Sequence, residues 1–300
     1  MDRDTAVGVR SALASFFLWG GLTAYWKLLS GLPAIELVGW RVAMACTVLW
    51  GVQTLRGRRR AMVSALRNPA VRGHLGGAAL LLVVNWSTYV VAVTGGRVLE
   101  TALGYFLSPL LTVAIGVVVF GERLDTARRV AMVLAGVAII IMTVSYGRVP
   151  WAAVLLAGSW SFYGLVKRRV ALGPIDSLTG EVTIVVPLAA LVIAVGAYGG
   201  LDAGRASVVT DAGALTWPLV LGTGIVTAVP LVLFAHAAPR VPFTLLGPLG
   251  WLIPIINFGL GWIAYGEDLP LARLVGFAMI WVALAVVAIA QARSASASPT

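Results

Sequence analysis

Ten stretches of this 300-residue chain stay apolar for about as long as a helix needs to cross a bilayer, and no water-soluble fold accommodates that many. Roughly 20 apolar residues, rising 1.5 Å each, span a hydrocarbon core of about 30 Å. The runs are Val9–Leu29, Ile35–Leu55, Gly73–Thr94, Val98–Phe120 and Val130–Tyr146, then Trp151–Val166, Leu178–Tyr198, Leu215–Ala238, Phe243–Tyr265 and Leu274–Ala292. Trp151–Val166 is the shortest. Composition agrees: 60% of residues are hydrophobic and 11% are charged, where a soluble domain carries roughly 25% charged residues. The sequence therefore predicts an all-α membrane protein. Its first run ends in Tyr25, Trp26 and Lys27, an interface anchor, and reads as a retained helix instead of a cleaved leader. The Ser/Ala/Pro tail, 293–300, is expected to be disordered.

Net charge is +10. The basic residues sit in short gaps between apolar runs, so they answer to the membrane surface and not to nucleic acid. With the N-terminus in the cytoplasm, the inside segments hold Arg3, Arg10, Arg56, Arg58, Arg59, Arg60, Arg67, Arg72, Arg123, Arg128, Arg129, Lys167, Arg168, Arg169, Arg240 and Arg293, which is 16. The outside segments hold Lys27, Arg97, Arg148, Arg205 and Arg273, which is 5, and Arg41 lies within a run. That bias predicts cytoplasmic termini in a bacterial inner membrane.

A shift of 145 residues lays the second half on the first without a gap. Leu-Ser-Pro-Leu (107–110) meets Leu-Ile-Pro-Ile (252–255), Gly116 meets Gly261, Gly121 meets Gly266 and Glu122 meets Glu267. Leu124 then meets Leu269, Arg128 meets Arg273 and Val130 meets Val275. Residues 1–147 and 148–292 read as two copies of a five-helix unit. An odd number of spans makes the second copy enter the membrane inverted, an arrangement found in secondary transporters.

The Gly-Glu ending of the fourth and ninth runs, with one more run after each, resembles the EamA domain of the drug/metabolite transporter superfamily. Finer stretches resemble its RarD (chloramphenicol-sensitivity) group: Ala24-Tyr-Trp-Lys27, Glu36 with Arg41-Val42, Asn85-Trp86, Leu99-Glu-Thr-Ala-Leu-Gly-Tyr-Phe106, Phe162-Tyr-Gly-Leu165, Gly224-Ile-Val-Thr227 and Ile280-Trp-Val-Ala-Leu-Ala285. The resemblance implies a ten-helix transporter, a central cavity lined by the first four spans of each half, and substrates among amino acids, metabolites and amphipathic drugs. Two positions depart from the pattern. Leu249-Gly-Trp251 stands where an aromatic-Gln-Tyr is common, and Ser108 stands where Asn is expected.

Arg41, about two turns into the second run, is costly to leave in lipid and should face protein or water. It suits an anionic group on a substrate, or else a structural pair with Glu36 or Glu100, or it snorkels outward from the outer half of the span. Trp19, Trp86, Tyr89, Tyr105, Trp160, Tyr163 and Trp251 lie mid-run and suit flat or cationic solutes, with Asn85 and Ser108 as neutral polar candidates. Trp26, Trp151, Trp217 and Tyr265 read as interface anchors. Lys27, Glu36 and Glu100, with Arg41, are candidates for an outer gate. Glu181 can carry a proton or pair with Lys167, Arg168 or Arg169. Pro109, Pro187, Pro230, Pro248 and Pro254 interrupt runs and mark bends.

These features predict a secondary active or facilitated transporter, in the export direction, working by alternating access on a small-molecule substrate. Membrane lipid surrounds it, and protons are one candidate coupling ion. No GxxxxGK[ST] pattern marks an ATP motor, and neither a metal site nor a cofactor is implied by the lone Cys46 and the separated His74 and His236. Two alternatives stand: a flippase for lipid-linked intermediates on the same scaffold, and a membrane-embedded enzyme. The second is disfavoured because every Asp lies in a loop or terminus.

Overall fold

In a computed structural model of the chain, residues 3–121, 125–198, 207–211 and 213–297 are described, with 211, 243, 244, 247 and 291–297 described by backbone alone. Every apolar run is helical, and no strand occurs among the described residues. The elements are α1 (Arg3–Leu28), α2 (Ala34–Leu55), α3 (Arg59–Arg67), α4 (Pro69–Thr94), α5 (Val98–Phe120), α6 (Thr126–Tyr146) and α7 (Trp151–Lys167). They continue with α8 (Pro174–Ala197), α9 (Val208–Asp211), α10 (Thr216–Ala237), α11 (Phe243–Leu249), α12 (Leu252–Gly259), which runs into a π turn over Leu260–Ala264, and α13 (Leu271–Ala297).

Eight of these are long and apolar enough to cross a membrane. The other two apolar runs are the short α7 and a broken ninth run. The break between α11 and α12 falls at Gly250, between Pro248 and Pro254, where a missing N–H and a fixed φ prevent a continuous ladder. Two differences from the sequence reading concern the ends. The 56–72 segment, read as a loop, contains α3, whose Met62 is buried against Gly180 of α8. Helix α13 continues to Ala297, past Arg293 where a disordered tail was expected; residues 298–300 lie outside the described residues.

The surface has the inverse of a soluble protein's pattern. Ile140, Val144 and Ile263 are 65%, 76% and 77% exposed, while Glu36, Gln53, Glu181 and Asn257 are fully buried. Water as solvent would penalise both; lipid reverses both preferences. This is a multi-pass membrane protein.

Packing joins the halves closely. Helix α6 lies on α13, and α2 on α8; α5 packs on α7 as α1 does on α12; α4 packs on α7 as α1 does on α10; α2 packs on α10 as α4 does on α8. Each contact turns into another, or into itself, when the helices of one half are exchanged for those of the other. Gly121 and Gly266, matched by the sequence shift, both adopt left-handed φ, +66° and +62°. Glycine takes that conformation without a Cβ penalty, which explains its place where each helix stops.

Candidate functional site

One group of polar side chains inside the bundle gathers around Arg41, two turns into α2 and 4% exposed. Its guanidinium carbon lies 4.0 Å from the ring centre of Trp86 on α4 and 5.3 Å from that of Trp26 on α1. Its Nε donates to Thr227 Oγ1 of α10 at 3.2 Å. Its Nη1 is buried and meets no acceptor. Tyr89 and Tyr105 lie near it and meet each other edge-on, centroids 6.0 Å apart. Helix geometry explains part of this assembly, because Trp86 and Tyr89 are three residues apart and share a face of α4.

Behind the tyrosines runs a hydrogen-bonded chain. Thr23 donates to Asn257 Oδ1 at 2.8 Å, so the 2.7 Å contact between Thr23 and Tyr89 has the phenol as donor. Asn257 Nδ2 in turn donates to Thr101 at 3.5 Å. One polar cluster therefore ties α1, α4, α5 and α12, and it adjoins α2 and α10 through Arg41. Sequence reasoning missed Thr23, Thr101, Thr227 and Asn257, and it read Trp26 as an interface anchor. Trp26 is fully buried, with its Nε1 also lacking an acceptor. The available signal was its three-residue spacing from Thr23 on one helix face.

Of the expected cavity residues, Arg41, Trp86, Tyr89 and Tyr105 come together. The others go elsewhere. Asn85 points from α4 to α7, donating to Ser159 Oγ and the Leu156 carbonyl. Ser108 turns its hydroxyl back to the Gly104 carbonyl of its own helix. Trp160 is 43% exposed and stacks on Tyr163, which donates to Glu181. Trp19 packs with Phe16 and Phe234 while also touching the cluster that holds Trp26 and Tyr89, and Trp251 lies against the α5–α13 core.

The expected outer network is resolved into separate pairs. Glu36 is five residues from Arg41, about 140° around the helix. It accepts from Ser207 and from the Val208 amide at the start of α9. Glu100 pairs with Arg148. Lys27 lies over the Tyr265 ring at 5.1 Å. Glu181 accepts from Lys167 Nζ and Ser177 Oγ, each at 2.7 Å, so of the two roles considered for it the ion pair is formed. Among the described residues no three His, Cys, Asp or Glu side chains converge on a metal-sized space.

Comparison with known proteins decides the family. Residues 6–144 match the EamA-like transporter family. The chain is 36% identical to Protein RarD of Streptomyces exfoliatus, covering 95% of this chain and 89% of that one. It is 32% identical to Uncharacterized transporter YojE of Bacillus subtilis, covering 98% of each. Against Protein RarD of Escherichia coli the identity is 31%, over 95% of this chain and 94% of the other. The chain belongs to the EamA-like transporter family. Its full-length relatives place it in the RarD group, and relatives named as transporters make it a membrane transporter. A solved crystal structure at 22% identity superposes with a TM-score of 0.60, covering 94% of this chain and 96% of that one, and shares the fold.

The Gly-Glu element of this EamA chain has a physical role at Gly266-Glu267; Glu122 and Arg123 lie outside the described residues. Glu267 accepts from the backbone amides of Val98 and, at 2.8 Å, Leu99. It thereby caps α5, the helix that carries Tyr105, with favourable charge at a helix N-terminus. Burial pushes the Glu267 carboxyl up from its ordinary value, against the pull of those amides and of Lys27. A raised folded-state value stabilises the fold at low pH and loses that contribution as pH rises through it. The melting temperature of wild type minus that of Glu267→Gln is therefore expected to fall as pH is raised through the upper carboxylate range. A difference that is flat, or that rises with pH, counts against this assignment.

Proposed function

We propose that the chain is a secondary transporter of small organic solutes, working in the export direction by alternating access across a bacterial inner membrane. The two copies, 1–147 and 148–292, are inverted repeats, and both termini lie in the cytoplasm. The observation that carries the reading is the Arg41 cluster: a buried cation, two tyrosines and a hydrogen-bonded chain held between α1, α2, α4 and α5 of one half and α10 and α12 of the other. A rocking of one half against the other changes access to such a site from either side. The exchange-symmetric packing supports two interchangeable units, and the bias of Lys and Arg supports the orientation.

The test is flux through purified protein in proteoliposomes, using labelled amino acids, organic acids and amphipathic dyes in both gradient directions. Saturable flux above protein-free vesicles is expected for at least one class. None in either direction overturns the reading. Reporter fusions within 56–72 and 199–214 are expected on opposite sides of the membrane.

A further inference from the structure

We infer that the Arg41 cluster is a binding site for a small organic monocarboxylate with a flat apolar body and no α-ammonium group. The inference rests on the transporter reading and names its substrate class.

A guanidinium has five N–H donors and no acceptor. In Arg41 only Nε finds a side-chain partner, Thr227, and Nη1 faces none. The carboxylates nearest in sequence or at the adjoining helix ends are already engaged: Glu36 by Ser207 and Val208, Glu100 by Arg148, Glu267 by the start of α5. The other groups of the cluster, Tyr89, Tyr105, Thr23, Thr227, Asn257 and Thr101, are neutral. One positive charge thus sits in a membrane protein's interior without a described counter-charge, an arrangement that marks intramembrane function.

The geometry selects the anion. The guanidinium carbon lies 4.0 Å from the Trp86 ring centre, and the unpartnered Nη1 belongs to a planar fork that matches a carboxylate by parallel N–H···O bonds. One cation balances one negative charge, so a monoanion fits and a phosphate dianion leaves an excess. The Trp26 indole N–H, a second buried donor without an acceptor on a ring beside Arg41, adds a further hydrogen bond to offer. The rings of Trp86, Tyr89 and Tyr105 provide apolar faces for the remainder of the solute. An amino acid's ammonium has no anionic partner among these groups. Burying it there leaves a cation with only ring faces and neutral acceptors to meet, and this favours simple carboxylates over zwitterions.

The experiment is thermal unfolding of the full chain in detergent with acetate, hexanoate, benzoate, phenylacetate and phenylpyruvate. Controls are benzamide, phenylacetamide, phenylalanine, inorganic phosphate and sodium chloride at matched ionic strength. A ligand that binds only the folded form raises the melting temperature. At least one carboxylate is expected to raise it by several degrees, with its amide, phenylalanine, phosphate and chloride producing less than a third of that shift. Arg41→Gln is expected to abolish the shift while melting, without ligand, at or above wild type. Arg41→Lys is expected to weaken binding at least tenfold, because an ammonium has no fork. The inference is overturned if no carboxylate exceeds its amide or chloride, or if Arg41→Gln retains the shift. An Arg41→Gln variant that melts well below wild type assigns the side chain to packing and also overturns it. Saturable dye or phenylalanine flux without carboxylate binding leaves the transporter reading standing alone. Carboxylate binding without flux of any solute sinks the transporter reading and keeps the site.

Discussion

Gly224→Val is expected to yield little or no monodisperse protein, while Gly136→Ala, one helix residue facing open space, is expected to be silent or slightly stabilising. A Cβ at Gly224 falls 2.4 Å from the carbonyl oxygen of Met44 and 2.5 Å from its carbon, so the obstruction is backbone that no rotamer can clear. Helix α10 must then move off α2. Over-packing by a methyl alone costs about 1–3 kcal/mol in cores that can adjust, and Gly224→Ala is expected near the top of that range. Valine adds two more carbons to the same collision. The damage also reaches the site, because Thr227 follows Gly224 by three residues and shares its face of α10. Separating the helices withdraws the one hydrogen bond that Arg41 makes to a side chain. At Gly136 a Cβ meets nothing within 4 Å, and alanine removes the roughly 0.5–1 kcal/mol penalty of a mid-helix glycine. Size-exclusion profiles and melting temperatures in detergent read both outcomes. A monodisperse Gly224→Val protein with wild-type melting would show that α2 and α10 do not pack as described.

The contrast between those glycines marks where sequence reading stops. Helix number and type were legible because lipid allows few choices: a backbone in hydrocarbon must bond to itself, and its length is fixed by the membrane. The break in the ninth run was legible too, as Pro248 and Pro254 carry their constraint locally. That Arg41 must turn into protein and away from lipid was legible from cost alone. Its partners were not. Glu36 is near in sequence but points elsewhere, whereas Trp26, Trp86 and Thr227 arrive from three other helices. Trp26 looks like an anchor in one dimension, being next to Lys27 at the end of an apolar run; its burial comes from a cluster that several helices build around it, with α1 packed chiefly on α10 and α12. Asn85 and Trp86 are adjacent, yet one faces α7 and the other Arg41, since neighbours on a helix differ by 100°. Polar residues within runs marked the right helices, and tertiary packing alone decided which of them met.

Removing Lys167 gives the second large effect, and it also separates two roles for Glu181. The carboxylate is fully buried on α8 and accepts from Lys167, from Ser177 one turn earlier, and from Tyr163 of α7 at 3.0 Å. Lys167→Met leaves two hydroxyl donors around an unbalanced buried charge, a loss of about 3–5 kcal/mol when one partner of a buried pair is deleted. Glu181→Gln in the same background removes the charge and keeps a group that both hydroxyls can reach. The double variant is therefore expected to regain most of the lost melting temperature, with a coupling of about 2–3 kcal/mol between the two sites. Equal melting of Lys167→Met and the double variant would show that Glu181 carries no unbalanced charge once Lys167 is gone. Transport completes the distinction. A carboxylate held by three donors is a fixed tie between α7 and α8, so Glu181→Gln is expected to move substrate down its own gradient at close to the wild-type rate and to keep any response to an imposed pH gradient. Loss of that response alone, with downhill flux intact, would reassign Glu181 from the tie to a proton carrier.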